Sequence, residues 1–207
     1  MKISRCSQRK TDRISELPNC ILLYIMTFLS LQEVVQTSAL SKRWKHLWKY
    51  TSNLILNNTQ FQTTANFRSF LDKFLTHRDR SCPLHKIDVD FDYFFSFQIL
   101  SKLFKYGMAH KVESVTINAF GAGYTHRNIE ITNIMSSCRF IKHLELSFRE
   151  TRGKVIFSRS LDLHELTYCR LREISFSSND KNTCVNLFLG CRKLSTLIID
   201  CCSLIGT

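Results

Sequence analysis

Histidines and cysteines are the residues of this chain best suited to metal or nucleophilic chemistry, and their spacing predicts no site for either. Tyr168 stands where a zinc-protease helix that begins at His164 needs its second histidine. The pairs Cys82-x2-His85 and Cys138-x4-His143 are isolated, whereas a structural zinc site needs four ligands. We therefore expect no catalytic residue, no metal and no cofactor, although an enzyme whose site assembles from distant residues stays an alternative.

Alternating aspartates at positions 88, 90 and 92 resemble the start of a calcium-binding loop. Tyr93 stands where the sharp turn of that loop needs glycine, and Ile99 stands where it needs glutamate. The alternation instead predicts a β-strand in which Val89 and Phe91 point inwards and the aspartates face water.

Length and composition indicate an ordinary globular chain. It has 207 residues and 24.2 kDa, with only six glycines and two prolines, which argues against a disordered or collagen-like protein. Nine cysteines, an odd number without a secretion signal ahead of them, predict reduced thiols in the cytoplasm or nucleus. The longest apolar run, Ile21 to Leu31, is too short for a membrane span, which needs about 20 residues. We expect a soluble chain that is not exported.

The N-terminal 50 residues divide into a basic tail and three short helices. Residues 1–11 are predicted to be disordered. The first helix begins near Pro18 and runs to about Leu29, the second contains the Val34-Val35 pair, and the third begins at Ser41.

Apolar residues cover the first of these helices on all sides, and two tryptophans follow in the third. About 40 residues in three short helices cannot usually bury this much apolar surface alone. Because each large apolar side chain left in water forfeits about 1.5–3 kcal/mol, we expect a further surface to cover them. That surface is either the rest of this chain or another protein.

The segment from Asp12 to Trp48 resembles an F-box, with the sequence DRISELPNCILLYIMTFLSLQEVVQTSALSKRWKHLW. The opening Asp-Arg-Ile-Ser-x-Leu-Pro and the closing Leu-Ser-Lys-Arg-Trp are most similar to plant F-box proteins of the leucine-rich-repeat, FBD-associated type. One departure is Asn19-Cys20, where the family usually has acidic residues that favour a helix N-terminus.

This resemblance implies a non-catalytic substrate receptor of an SCF-type ubiquitin ligase. The F-box is expected to bind a Skp-type adaptor, and through it a cullin scaffold, while the rest of the chain recruits an unknown protein substrate. The residues expected to form or support the adaptor interface are Leu17, Pro18, Ile21, Ile25, Leu29, Val34, Trp44, Leu47 and Trp48. Which of them face the adaptor is left open.

Residues 51–207 carry a weak internal repeat of short alternating apolar pairs. The pairs are Leu54/Leu56, Ile87/Val89, Val115/Ile117, Leu144/Leu146, Ile174/Phe176 and Leu197/Ile199, at intervals of 23 to 33 residues. Segments of helical character fit between them, namely 67–75, 98–109, 129–138 and 185–191. Leucine-rich repeats have periods of 20–29 residues with one short strand each. An α/β domain without a true repeat is the alternative.

The predicted fold class is therefore α+β. A three-helix F-box over residues 12–50 is followed by an irregular leucine-rich-repeat-like α/β solenoid over 51–207. Because no polar capping unit closes the array, we expect it to be truncated at the C-terminus.

The formal net charge of +12 raises nucleic-acid binding as a competing function. Residues 1–50 contribute +6 and the remainder contributes +6 without clustering, and no RNA- or DNA-binding motif is present. Nucleic acid and membranes are therefore not expected partners. A basic repeat protein that binds nucleic acid or another protein, without a ligase role, remains the alternative.

Overall fold

The computed structural model describes residues 13–14, 16–92, 97–120, 129–131, 135, 138–149, 155–177 and 187–205. Helices and strands are mixed along the chain, so the fold is α+β, with a helical N-terminal region as expected. The predicted disordered tail, residues 1–11, lies outside the described residues. In the part of the chain that the structure describes, no helix is long and apolar enough to cross a membrane.

The N-terminal region contains two α-helices and two 3₁₀ helices. Helix α1 spans Asn19–Met26, α2 spans Leu31–Gln36, and the 3₁₀ helices span Thr37–Ala39 and Trp44–Tyr50. Helix α1 ends before the predicted Leu29 because its last turn tightens into 3₁₀-type hydrogen bonds. The third predicted helix is the second 3₁₀ helix. Its winding of three residues per turn places Trp44 and Leu47 on one side.

Ten strands form two parallel sheets within the described residues. The six-stranded sheet has the order β1-β2-β3-β5-β7-β9, and the four-stranded sheet has the order β10-β8-β6-β4. The strand bounds are β1 Asn53–Asn57, β2 Lys86–Asp92, β3 Ser114–Phe120, β4 Ile129–Glu130, β5 His143–Arg149, β6 Val155–Phe157, β7 Tyr168–Arg172, β8 Ser175–Ser177, β9 Thr196–Asp200 and β10 Ser203–Ile205.

Five of the six predicted apolar pairs occupy equivalent positions in the larger sheet. The register aligns Leu54, Ile87, Val115 and Leu144, then Cys169 and finally Leu197, and the second members align in the same way. The Ile174/Phe176 pair was assigned to the wrong ladder, because the β7 positions belong to Cys169 and Leu171. Both of those side chains are fully buried.

A turn between the two sheets explains this error. Glu173 and Cys201 follow β7 and β9 at equivalent positions, and both adopt positive φ angles, 55° and 50°. This left-handed conformation is uncommon for residues other than glycine. The chain turns there, so Ile174 comes directly before β8 and Phe176 lies within β8 in the smaller sheet.

Two long helices cover one face of the larger sheet. Helix α3 spans Thr64–His77 and α4 spans Phe97–Ala109, in agreement with the predicted segments 67–75 and 98–109. The predicted helix at 129–138 is wrong at its start, where Ile129–Glu130 is strand β4, and residues 132–134 and 136–137 lie outside the described part. Of the segment 185–191, residues 187–190 form a turn.

The alternation of each strand separates a core face from a solvent face. Val89 and Phe91 are buried as predicted, together with the aligned apolar residues of β1, β3, β5 and β7. Strand β9 pairs with β7 on one side only, and Leu197 and Ile199 are exposed there.

Candidate protein-binding surface

Helix α1 has one buried face and one exposed apolar face. Leu22 and Met26 point into the protein and are fully buried. The exposed face carries Ile21, Tyr24, Ile25 and Phe28, which we call the apolar stripe. Their spacing of i, i+3, i+4 and i+7 places them in one line along the helix and its last turn.

The apolar stripe is open to solvent along its length. Tyr24 is 63% exposed and Phe28 is 69% exposed, and their rings pack edge to face with centroids 5.1 Å apart. This contact holds the two aromatic rings side by side without burying either. An apolar helix face of this kind is a surface that another molecule can cover.

The opposite face of α1 closes a small core within the N-terminal region. Leu22 and Met26 pack there with Val34 of α2 and with Trp44 and Leu47 of the second 3₁₀ helix. Of the nine residues predicted for the interface, Val34, Trp44 and Leu47 are therefore buried inside this region. They support the shape of the exposed face and cannot themselves contact a partner without unfolding.

The other predicted residues divide between the surface and its edges. Pro18, Ile21 and Ile25 are exposed. Leu17 and Leu29 are half-buried against the small core. The structure thus brings Ile21 and Ile25 together on the apolar stripe and places Pro18 directly before α1.

Trp48 lies between the N-terminal region and the rest of the chain. It packs against both the small core and the main core, and its ring centroid is 5.3 Å from that of Phe74 in α3. Leu31 of α2 belongs to the main core as well. The later residues that the structure describes therefore cover one side of the N-terminal region and leave the apolar stripe exposed.

Tyr24 and Phe28, the two most exposed residues of the apolar stripe, are not among the predicted interface residues. Both lie in the apolar run from Ile21 to Leu31, at three and seven residues after Ile21. The sequence does not show which side of the helix faces the protein, and the burial of Leu22 and Met26 supplies this information.

Asn19 replaces the acidic residue usual at the start of this helix and has a partner of its own. The Arg43 guanidinium donates two hydrogen bonds to its side-chain oxygen, from Nε at 2.9 Å and from Nη2 at 2.7 Å. The amide thus ties the start of α1 to the segment before the second 3₁₀ helix without a carboxylate.

Helix α2 begins with a capping box. The Glu33 backbone N–H donates to the Ser30 hydroxyl, and the Ser30 backbone N–H donates to the Glu33 carboxylate at 2.8 Å. These side-chain and backbone hydrogen bonds from Ser30 lower the pKa of Glu33.

A buried arginine joins the N-terminal region to the sheets. Arg78 donates from Nε to the Thr51 carbonyl at 2.9 Å and from Nη2 to the carbonyls of Cys82 and Pro83 at 3.1 and 2.8 Å. The backbone N–H of Asp79 donates to the Lys49 carbonyl at 2.9 Å. The end of α3 therefore holds the end of the second 3₁₀ helix and both loops at the start of β1 and β2.

The described residues contain no cluster of three or more His, Cys, Asp or Glu side chains suited to a metal ion. Cys138 and Cys169 lie in the core, and burial raises the pKa of each thiol to about 12. Thiols of this kind stay protonated and are poor nucleophiles.

Comparison with known proteins places the N-terminal region in a family. Residues 14–56 match the F-box domain, so the match extends into β1. F-box/LRR-repeat protein 13 of Arabidopsis thaliana is 30% identical over 66% of this chain and 31% of its own length. An F-box/FBD/LRR-repeat protein of the same plant is 29% identical over 92% of this chain and 41% of its own length.

A third relative, an FBD-associated F-box protein of Arabidopsis thaliana, is 42% identical over 39% of this chain and 18% of its own length. The chain therefore spans less than half the length of these relatives. No solved structure matches it significantly. Residues 14–56 are an F-box domain, and the chain is a homologue of the Arabidopsis F-box/LRR-repeat and FBD-associated F-box proteins.

Proposed function

We propose that this chain is a non-catalytic substrate-recognition subunit of an SCF-type ubiquitin ligase. Its F-box, residues 12–50, binds a Skp-type adaptor that links it to a cullin scaffold. Residues 51–207 form a leucine-rich-repeat-like solenoid that recruits a protein target, in the cytoplasm or nucleus. F-box domains generally bind Skp-type adaptors, and the homologues are F-box/LRR proteins.

The observation that carries this proposal is the uncovered apolar stripe on α1. The chain buries the inner face of the F-box with its own later residues, as Trp48 and Leu31 show, yet leaves Tyr24 and Phe28 in water. Burying one such side chain contributes about 1.5–3 kcal/mol, so a partner that covers the stripe gains most of its affinity from a few residues.

The solenoid assignment rests on the repeated register of the larger sheet. Equivalent apolar residues recur in six parallel strands, and the turn with positive φ recurs after β7 and β9. Each unit of this kind buries its strand only by stacking on its neighbours, which is the arrangement of a leucine-rich-repeat array.

The test is adaptor binding by a surface variant of the F-box. Phe28→Asp places a charge in the stripe without touching the small core, and we expect at least about tenfold weaker binding to a purified Skp-type adaptor. Phe140→Asp is the matched control, because Phe140 is also an exposed phenylalanine but lies far along the chain, before β5. Equal binding by wild type and Phe28→Asp would count against the proposal.

The salt dependence of binding separates this function from nucleic-acid binding. An interface built on apolar burial weakens little between 50 and 200 mM salt, whereas binding to random duplex DNA falls steeply over that range. Strong, salt-sensitive binding to duplex with no adaptor binding would support the nucleic-acid alternative.

A further inference from the structure

The solvent face of the larger sheet carries a row of four polar side chains on neighbouring strands. The register aligns Asp90 of β2 with Asn118 of β3, Asn118 with Ser147 of β5, and Ser147 with Arg172 of β7. We call this set the polar row. It begins with an acid and ends with a base, with an amide and a hydroxyl between them.

The acidic end of the polar row is oriented by its neighbour. Asn118 donates from Nδ2 to Asp90 Oδ1 at 2.9 Å, and Asp90 is exposed. The next aspartate on the same strand, Asp88, already has a cation, because Lys86 lies 2.6 Å from it. Unlike Asp88, Asp90 therefore remains able to meet a cation from outside.

The basic end of the polar row, Arg172, can bind an anion, because the neighbouring arginine already has a partner and Arg172 has none within the described part of the chain. Arg170, on the same strand, is engaged by Asp200, with Nε and Nη2 at 3.3 and 3.1 Å from Oδ2. Arg172 makes no hydrogen bond or ion pair with any residue that the structure describes. Arg172 is half-exposed, and Asp200, which lies opposite it on β9, already accepts hydrogen bonds from Arg170. The Arg172 guanidinium therefore favours an anion from another molecule.

The polar row lines a cavity of about 260 Å³ on the sheet face. Glu145, Leu146, Arg149 and Arg170 complete its wall. The Glu145 carboxylate is held by His143 Nε2 at 2.9 Å, and the Arg149 guanidinium lies over the Phe120 ring at 5.4 Å. Glu145, Arg149 and Arg170 thus each contact a residue outside the cavity, and none of these contacts involves Asp90 or Arg172 at the two ends of the row.

The spacing of the row sets the spacing of its ligand. Asp90 and Arg172 are three strands apart, which is about 14 Å at the usual distance between strands. An extended peptide spans about 13 Å between residues i and i+4. We propose that the polar row binds an extended segment of the recruited protein in which an acidic and a basic side chain are separated by three residues. This inference rests on the proposed function, since it describes the substrate that the receptor would recruit.

The experiment measures the spacing preference of the full chain bound to a Skp-type adaptor. The probes are fluorescein-labelled Gly/Ser peptides with one Glu and one Lys separated by zero to six residues, in fluorescence anisotropy at low salt. We expect binding to be strongest at three intervening residues and at least about fivefold weaker with adjacent charges. A flat profile would overturn the inference.

Charge-reversal variants test whether the two named residues cause the preference. Arg172→Glu should bind the Glu-x3-Lys peptide about fivefold more weakly and gain binding to a Lys-x3-Lys peptide. Asp90→Lys should instead gain binding to a Glu-x3-Glu peptide. Arg139→Glu, an equal change of charge at an exposed residue outside the cavity, is the control. An effect of Arg139→Glu as large as that of Arg172→Glu would overturn the inference.

Adaptor binding, measured in the same preparations, keeps the two proposals apart. If the chain binds the adaptor but binds all peptide spacings equally, the inference about the polar row is wrong and the ligase proposal stands. A spacing preference in a chain that does not bind the adaptor refutes the ligase assignment and supports the row as a peptide site.

Discussion

Replacement of Arg78 by methionine should loosen the joint between the F-box and the sheets. Arg78 is 2% exposed, and its guanidinium donates to the carbonyls of Thr51, Cys82 and Pro83, which belong to two different loops. Two longer hydrogen bonds reach the Asp79 carbonyl at 3.3 Å and the Tyr106 hydroxyl at 3.5 Å. Methionine fills a similar volume with apolar atoms but donates no hydrogen bond. The Thr51, Cys82 and Pro83 carbonyls then lose their charged donor.

The expected cost follows from the burial of each carbonyl. Thr51 is buried, so its carbonyl loses a charge-assisted hydrogen bond worth about 1.5–3 kcal/mol. Cys82 is half-buried and Pro83 is exposed, so water can replace the donor there at about 0.5–1 kcal/mol each. Removing a buried charge offsets part of this loss. We expect the free energy of unfolding to fall by about 3 kcal/mol.

Urea denaturation followed by two signals measures this loss. Both tryptophans of the chain, Trp44 and Trp48, lie in the F-box, and Trp48 contacts Phe74 across the joint. Tryptophan fluorescence therefore reports the F-box and the joint, whereas far-ultraviolet circular dichroism also reports the sheets. In Arg78→Met the fluorescence transition should move to lower urea than the dichroism transition.

Arg80→Met is the control for this experiment. Arg80 is exposed two residues further along, and its replacement should change stability by no more than about 0.5 kcal/mol. Arg78→Lys keeps the charge but loses the planar set of donors, so it should recover only part of the stability. If Arg78→Met unfolds at the same urea concentration as Arg80→Met, the reasoning about this joint is wrong.

Three further predictions concern reactivity, pH and association. In the native chain Cys20 should react with iodoacetamide at pH 8, while Cys138 and Cys169 should react only after unfolding, as peptide mass spectrometry can show, because burial raises the pKa of both to about 12. The lowered pKa of Glu33 means that its capping contribution is present above the unfolded-state pKa and is lost as pH falls through the folded-state pKa, so Glu33→Gln should flatten the acid limb of a stability–pH curve. Leu204, 82% exposed on edge strand β10, should promote self-association, and Leu204→Lys should lower the mass seen by light scattering at high protein concentration; an unchanged mass would contradict this.

The alternation of apolar and polar residues and the interval between apolar pairs predicted most strands of the larger sheet, because a strand buried on one face alternates strictly in sequence. The positions of Leu54, Ile87, Val115 and Leu144 followed from this alternation alone. Strand β7 did not, since its core positions are Cys169 and Leu171, whereas the predicted pair for this strand is Ile174/Phe176. Burial of free cysteine is common, so a period that includes cysteine would have found this strand.

The protein-binding surface was only half predictable for a different reason. The motif identified the F-box, but a helix that is apolar on all sides carries no mark of which side faces inwards. Burial of Leu22 and Met26 decides this, and it depends on where α2 and the second 3₁₀ helix pack. The same holds for Arg78, which in the sequence is one basic residue among many and acquires its role only when the distant Thr51 carbonyl and the nearby Cys82 and Pro83 carbonyls meet around it.

The contacts of Arg78 and the Asp79 amide also fix how the F-box is oriented relative to the larger sheet. These hydrogen bonds act together with the packing of Trp48 against Phe74, so the F-box and the sheets hold a fixed orientation relative to each other. A partner that binds helix α1 therefore also sets the direction in which the solvent face of the larger sheet points, because the F-box and the sheet do not rotate independently.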